Sequence, residues 1–137
     1  MRTFEIVEIS NMSGLSIGQI EQAISREKLP VQGKGRPRQF LRQDAFNFCL
    51  IGEMRKLGID WKRIVGSTAI PWPVPDVFEL DGNHFLLLAP MPDGNLDMNI
   101  TTADDILRDL RALKASGGIL IDASVIAKRI EVFARRH

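Results

Sequence analysis

The chain is short of several things at once, and each shortage excludes a class of function. Of 137 residues, one is cysteine and two are histidine. Cys49 alone cannot close an internal disulfide, and its place between Phe48 and Leu50 is that of a buried thiol. His84 and His137 share no motif with Cys49, so no Cys–His pair can be read. No three or four metal ligands stand at recognisable spacing either. A phosphate loop ending in Lys-Ser/Thr is missing, and so is a nucleophile elbow. Asp104, Asp105 and Asp109 form the nearest thing to a carboxylate cluster. They sit on a predicted helix, the first two in its opening turn where the helix dipole favours acids, so a solvated face accounts for them. The expectation is a protein that is not an enzyme and holds no cofactor or metal.

Long apolar runs are missing too. The longest, Phe85 to Pro90, is far below the ~20 residues of a membrane-spanning helix. Met1-Arg2-Thr3 is not followed by the apolar stretch of a signal peptide. Together with the single cysteine, this predicts a cytoplasmic protein with no membrane partner.

Net charge is nearly absent as well: 18 Lys plus Arg against 17 Asp plus Glu leave +1. That balance conceals an asymmetry. Residues 1–66 carry eleven basic and seven acidic side chains, residues 67–137 seven basic and ten acidic. The excess is sharpest between Arg26 and Arg42, where Arg26, Lys28, Lys34, Arg36, Arg38 and Arg42 are opposed only by Glu27. Cations on Gly/Pro-rich, adaptable backbone suit phosphate contact, because each neutralised phosphate releases counterions.

What is present is ordinary globular composition, 45% hydrophobic and 26% charged. The length suits one domain or two very small ones. Three prolines at alternate positions in Ile70-Pro71-Trp72-Pro73-Val74-Pro75-Asp76 predict a stiff linker over 69–76, with domains at 1–68 and 77–137.

Ahead of that linker, Ser16 and Gln19 form a capping box opening a helix through Ile17, Ile20 and Ile24, expected to end near Lys28-Leu29. Gly33-Lys34-Gly35-Arg36-Pro37-Arg38 reads as a turn between short extended arms. A central helix is expected over Asp44 to Leu57 with Gly58 beyond it, then a short helix capped by Asp60. Thr3 to Ser10 is ambiguous between helix and strand.

Beyond the linker, Asp76 to Leu80 and His84 to Leu88 flank the turn Asp81-Gly82-Asn83 as a hairpin. A second turn at Pro92-Asp93-Gly94-Asn95 leads to a weaker strand, Leu96 to Ile100. Thr101 or Thr102 is expected to cap a helix with the stripe Ile106, Leu107, Leu110 and Leu113. Ile119 to Ile121 reads as a short strand, and Asp122 as the cap of a last helix with Val125, Ile126, Ile130 and Phe133 inward. The fold class is therefore α+β, a helical N-terminal unit followed by a small mixed α/β domain.

Gly14-Leu15-Ser16 with Ile20, then Arg26-Glu27, Leu29-Pro30, Arg38-Gln39-Phe40, Asp44, Phe48, Ile51, Met54, Leu57-Gly58 and Ile64 resemble the winged helix-turn-helix of the MerR superfamily over about residues 3–66. The resemblance implies a dimeric, DNA-binding transcriptional regulator. In it Arg36, Arg38 and Arg42 touch phosphates from the wing, and the helix from Ser16 to Lys28 reads bases. On that helix Gln19 and Gln22 suit adenine, and Arg26 suits guanine or a phosphate. Ser16, Lys28 and Lys34 complete the expected DNA-binding set. The chain departs from the family by carrying Glu21-Gln22-Ala23 where Arg and Tyr are common, and by replacing the long dimerisation helix with the α/β region. Dimerisation is therefore expected through 77–137, by the Ile119 to Ile121 strand or the Val125 to Phe133 helix. Gly35-Arg36-Pro37-Arg38 also resembles the core of an AT-hook. The alternatives are an adaptor that binds protein through the same helices, and an architectural or packaging DNA-binding protein of the phage excisionase or small terminase subunit kind. No small-molecule effector can be read from the sequence.

Overall fold

The computed structural model describes residues 2–66, 70–74 and 84–136. Among them are six helices and one three-stranded antiparallel sheet, an α+β arrangement.

The ambiguous opening segment is both things in succession. Phe4 is extended and exchanges two backbone hydrogen bonds with Phe40, each 2.8 Å. Helix α1 (Ile6–Ser13) then begins at Glu5, whose N–H donates to Glu8 Oε1 at 3.0 Å in a reciprocal capping box. It ends at Gly14, in the left-handed conformation with φ 76°, whose N–H donates to Ser10 O. Two residues later α2 (Ile17–Ser25) starts with the expected box: Gln19 N–H donates to Ser16 Oγ, and Ser16 N–H to Gln19 Oε1.

Helix α2 stops a turn short of Lys28-Leu29. The N–H groups of Arg26 and Glu27 both fold back onto Gln22 O, and Leu29 N–H reaches Ala23 O with Lys28 at φ 56°. The chain thus turns before Pro30 rather than at it.

Helix α3 (Arg42–Lys56) is the centre of the molecule, with Phe46, Phe48, Leu50, Ile51 and Met54 fully buried. It crosses α1 closely at Gly52, where a Cβ would lie 2.1 Å from Ser13 O, so only glycine permits the approach. Helix α4 (Trp61–Val65) follows, capped by Asp60, whose Oδ1 accepts Arg63 N–H at 3.0 Å.

Residues 70–74, read from the sequence as the middle of a spacer, dock on α3. Ile70 and Val74 are buried, Val74 N–H donates to Asn47 Oδ1 at 2.8 Å, and Gln43 Nε2 donates to Val74 O. One core draws on both sides of this segment, from Phe4 through Phe48 to Leu86 and Ile130.

Strand β1 (His84–Pro90) lies between β2 (Leu96–Thr102) and β3 (Ile119–Asp122). Pairing of Pro90 with Leu96 places the hairpin turn over 91–95, where the Pro-Asp-Gly-Asn signal predicts one. The other expected hairpin, Asp76 to Leu80 with its turn at Asp81-Gly82-Asn83, lies outside the described residues.

Two expectations for the last helices need correcting. Thr101 and Thr102 do not cap a helix; they finish β2, and α5 (Ile106–Ala112) starts later, at Asp105. The Thr101 hydroxyl instead donates to Asp109 Oδ2 at 2.6 Å, which holds that carboxyl below its usual range. The α5 stripe is only half-buried, and Leu107 is 63% exposed. In α6 (Ala123–Arg136), Asp122 Oδ1 accepts the N–H groups of Ser124 and Val125 as predicted, but Val125 points outward. Ile126 and Ile130 face the core.

Helix α6 is fixed to the N-terminal helices by chemistry as well as packing. Phe133 lies 6.4 Å from Phe4 ring to ring, and Arg129 bonds Glu53 at 2.9 Å. Partial burial pushes the Glu53 carboxyl up, but hydrogen bonds from Arg129 and Lys56 outweigh it and hold the group below its usual range.

Candidate nucleic-acid interface

The basic loop is built on a buried carboxylate. Asp44, in the first turn of α3, accepts three backbone N–H groups: Gln32 at 2.8 Å, Gly33 at 2.9 Å and Leu41 at 2.9 Å. Two belong to the arm entering the loop and one to the arm leaving it, so one side chain closes its base. Above Asp44 the arms touch through a single bridge, with Gln39 N–H donating to Lys34 O at 2.9 Å. Gly33 makes that possible, because a Cβ there would lie 2.1 Å from Gln39 O. Thr3 Oγ1 donates to Gln39 Oε1, and the Phe4–Phe40 bridge joins the outgoing arm to the start of the chain.

This frame sorts the six cations of the cluster. Arg26, Lys28, Lys34 and Arg36 are exposed, and none of them forms an ion pair with another described residue. Arg38 is half-buried and donates from Nη1 to Gly33 O at 2.6 Å, bracing the loop from inside. Arg42 is drawn to α6 by Glu131 at 3.1 Å. Four cations are thus turned outward, two in the turn that ends α2 and two on the loop, while Arg38 and Arg42 serve the fold.

The outward face of α2 differs from the residues expected there. Ser16 and Gln19 are bonded to each other in the cap, and Gln22 is half-buried. Ile17, Gly18, Glu21 and Ser25 stand exposed instead. Their 17-21-25 spacing was available in the sequence, but the capping roles of Ser16 and Gln19 compete with base reading at the same atoms. Glu21 and Ser25, with Ile6 and Ile24 behind them, face Pro37 and Arg38 across a groove of about 510 Å³ between the helices and the loop.

Among the described residues no three His, Cys, Asp or Glu side chains gather as a metal site, and no helix is long and apolar enough to cross a membrane. Burial pushes the Cys49 thiol up to about 12, against the pull of nearby Arg129. No protein-family model matches the chain, and no curated protein matches it.

Proposed function

We propose that the protein is a DNA-binding regulator in which α1 and α2 act as a helix-turn-helix, the loop over 33–39 acts as a wing, and the chain binds duplex DNA as a dimer. The observation that carries this reading is the exposed quartet Arg26, Lys28, Lys34 and Arg36, without acid partners among the described residues, the first two in the turn that ends α2 and the last two on the loop whose base Asp44 closes. A polyanion is the partner such a surface fits. The tight turn between α1 and α2 and the exposed face of α2 beside the loop agree with a reading helix flanked by a phosphate-gripping wing. In this arrangement Arg26, Lys28, Lys34 and Arg36 take phosphates, and α2 presents Ile17, Glu21 and Ser25 to the groove, where Glu21 suits the cytosine N4 donor.

Glu21 at the centre of that face also favours a second reading, an adaptor whose α2 binds a protein. Selection from random duplex DNA separates the two. A regulator recovers a preferred site, palindromic if the dimer is symmetric, whereas an adaptor retards no duplex even at low salt. Reversing the charge of Arg36 weakens binding to DNA and leaves an adaptor's partner bound.

A further inference from the structure

The base of the basic loop hangs on the first turn of α3. The first turn of a helix is where fraying begins, because its N–H groups have no acceptor within the helix. Asp44 lies in that turn, so fraying there releases the Gln32, Gly33 and Leu41 N–H groups together. Two residues near Asp44 on the same helix oppose it. Gln43 Nε2 donates to Val74 O, and Asn47 Oδ1 accepts Val74 N–H at 2.8 Å. Asn47 Nδ2 also donates to Gln43 O at 2.8 Å, so three hydrogen bonds join Gln43, Asn47 and Val74 in a ring across the turn.

The far side of this ring is itself anchored. Ile70 and Val74 are buried, and Trp72 between them donates from Nε1 to Ile64 O of α4 at 3.0 Å. Segment 70–74 thus bridges α4 and the first turn of α3. Asn47 is buried as well, and neither it nor Gln43 carries charge. Their bonds act on the fold of the loop and not on its electrostatics.

We propose that Gln43 and Asn47 are positioning residues for the basic loop: by tying the first turn of α3 to Val74 they hold Asp44 in place, and release of segment 70–74 from α3 opens the base of the loop. The regulatory meaning rests on the DNA reading, because an open base removes Lys34 and Arg36 from a fixed geometry. The coupling itself belongs to the free protein and is measured without DNA.

The test is backbone amide exchange in the full chain, resolved residue by residue by NMR, for wild type and Gln43→Met, which keeps side-chain length and loses the donor. The Gly33 and Leu41 amides should exchange roughly fivefold faster in the variant, the factor that one net hydrogen bond is worth. The acceleration should be nearly independent of low urea concentrations, which marks local opening, while the Gly94 N–H that closes the turn over 91–95 on Met91 O keeps its wild-type rate. Asn47→Asp, which keeps an acceptor for Val74 N–H and loses the donor to Gln43 O, is the second variant and should shift the same amides in the same direction. On duplex DNA, Gln43→Met should keep the wild-type salt slope, since it removes no cation. Wild-type exchange at Gly33 and Leu41 in both variants, an acceleration that grows with urea as steeply as global unfolding, or a flattened salt slope would each overturn the proposal. A wild type that binds no duplex sinks the DNA reading instead and leaves the exchange result to decide the coupling.

Discussion

The Asp44 carboxylate accepts the Gly33 N–H at 2.9 Å, and through it the first turn of the central helix holds the entry to the basic loop. The same carboxylate takes the N–H groups of Gln32 and Leu41, so three backbone donors depend on one side chain.

Asp44→Ala would strand those donors, the Gly33 N–H in a buried position and the other two partly buried. Each unsatisfied buried group costs ~1–3 kcal/mol, so the variant should lose about 3 kcal/mol or more in urea unfolding. Asp44→Asn keeps one acceptor and should lose less. If Asp44→Ala unfolds at the wild-type urea concentration, the carboxylate does not hold the loop.

Lys28 sits at φ 56°, a left-handed conformation that costs an L-residue ~1 kcal/mol. Lys28→Gly removes that strain but enlarges the unfolded ensemble, so stability should hold or rise by up to ~1 kcal/mol. DNA affinity should fall in the same variant, because an exposed cation is gone. Separation of the two effects, measured by urea unfolding and by anisotropy on duplex DNA, distinguishes a phosphate contact from a structural residue.

The Cys49 thiol is pushed by burial from an ordinary 9.0 to about 12. A group whose folded pKa is raised contributes stability that is complete below its unfolded pKa and is lost as pH rises toward the folded one. Stability should therefore decline between about pH 9 and pH 12, and Cys49→Ala should flatten that decline while costing stability at neutral pH through the cavity it leaves. Thiol reagents at pH 8 should modify Cys49 only at the rate of unfolding. Rapid modification of the native protein would contradict its burial.

Much of this architecture is legible in the residues themselves. Ser16 with Gln19, Asp60, Asp122 and Pro92 to Asn95 announce three caps and a turn through local hydrogen bonding that tertiary packing does not override. The failures are non-local. Thr101 resembles a cap until Phe85 pairs with it across the sheet, and Val125 lies on an apolar stripe whose outward edge no described residue covers fully. For the candidate interface, composition marks the cluster from Arg26 to Arg42, but only the fold divides outward Lys34 and Arg36 from Arg38 and Arg42, which are spent on Gly33 and Glu131. Likewise, Gln19 reads as a base contact in a helical wheel and is taken by the cap in three dimensions.

The most direct test of the account is the salt dependence of duplex binding for wild type and for the double reversal Lys34→Glu/Arg36→Glu, followed by fluorescence anisotropy. Each phosphate neutralised contributes about 0.9 to the slope of log affinity against log salt, so the reversal should flatten the slope by about 1.8 and weaken binding at every salt concentration. Equal slopes and affinities for the two proteins, or no binding by wild type at low salt, would contradict it.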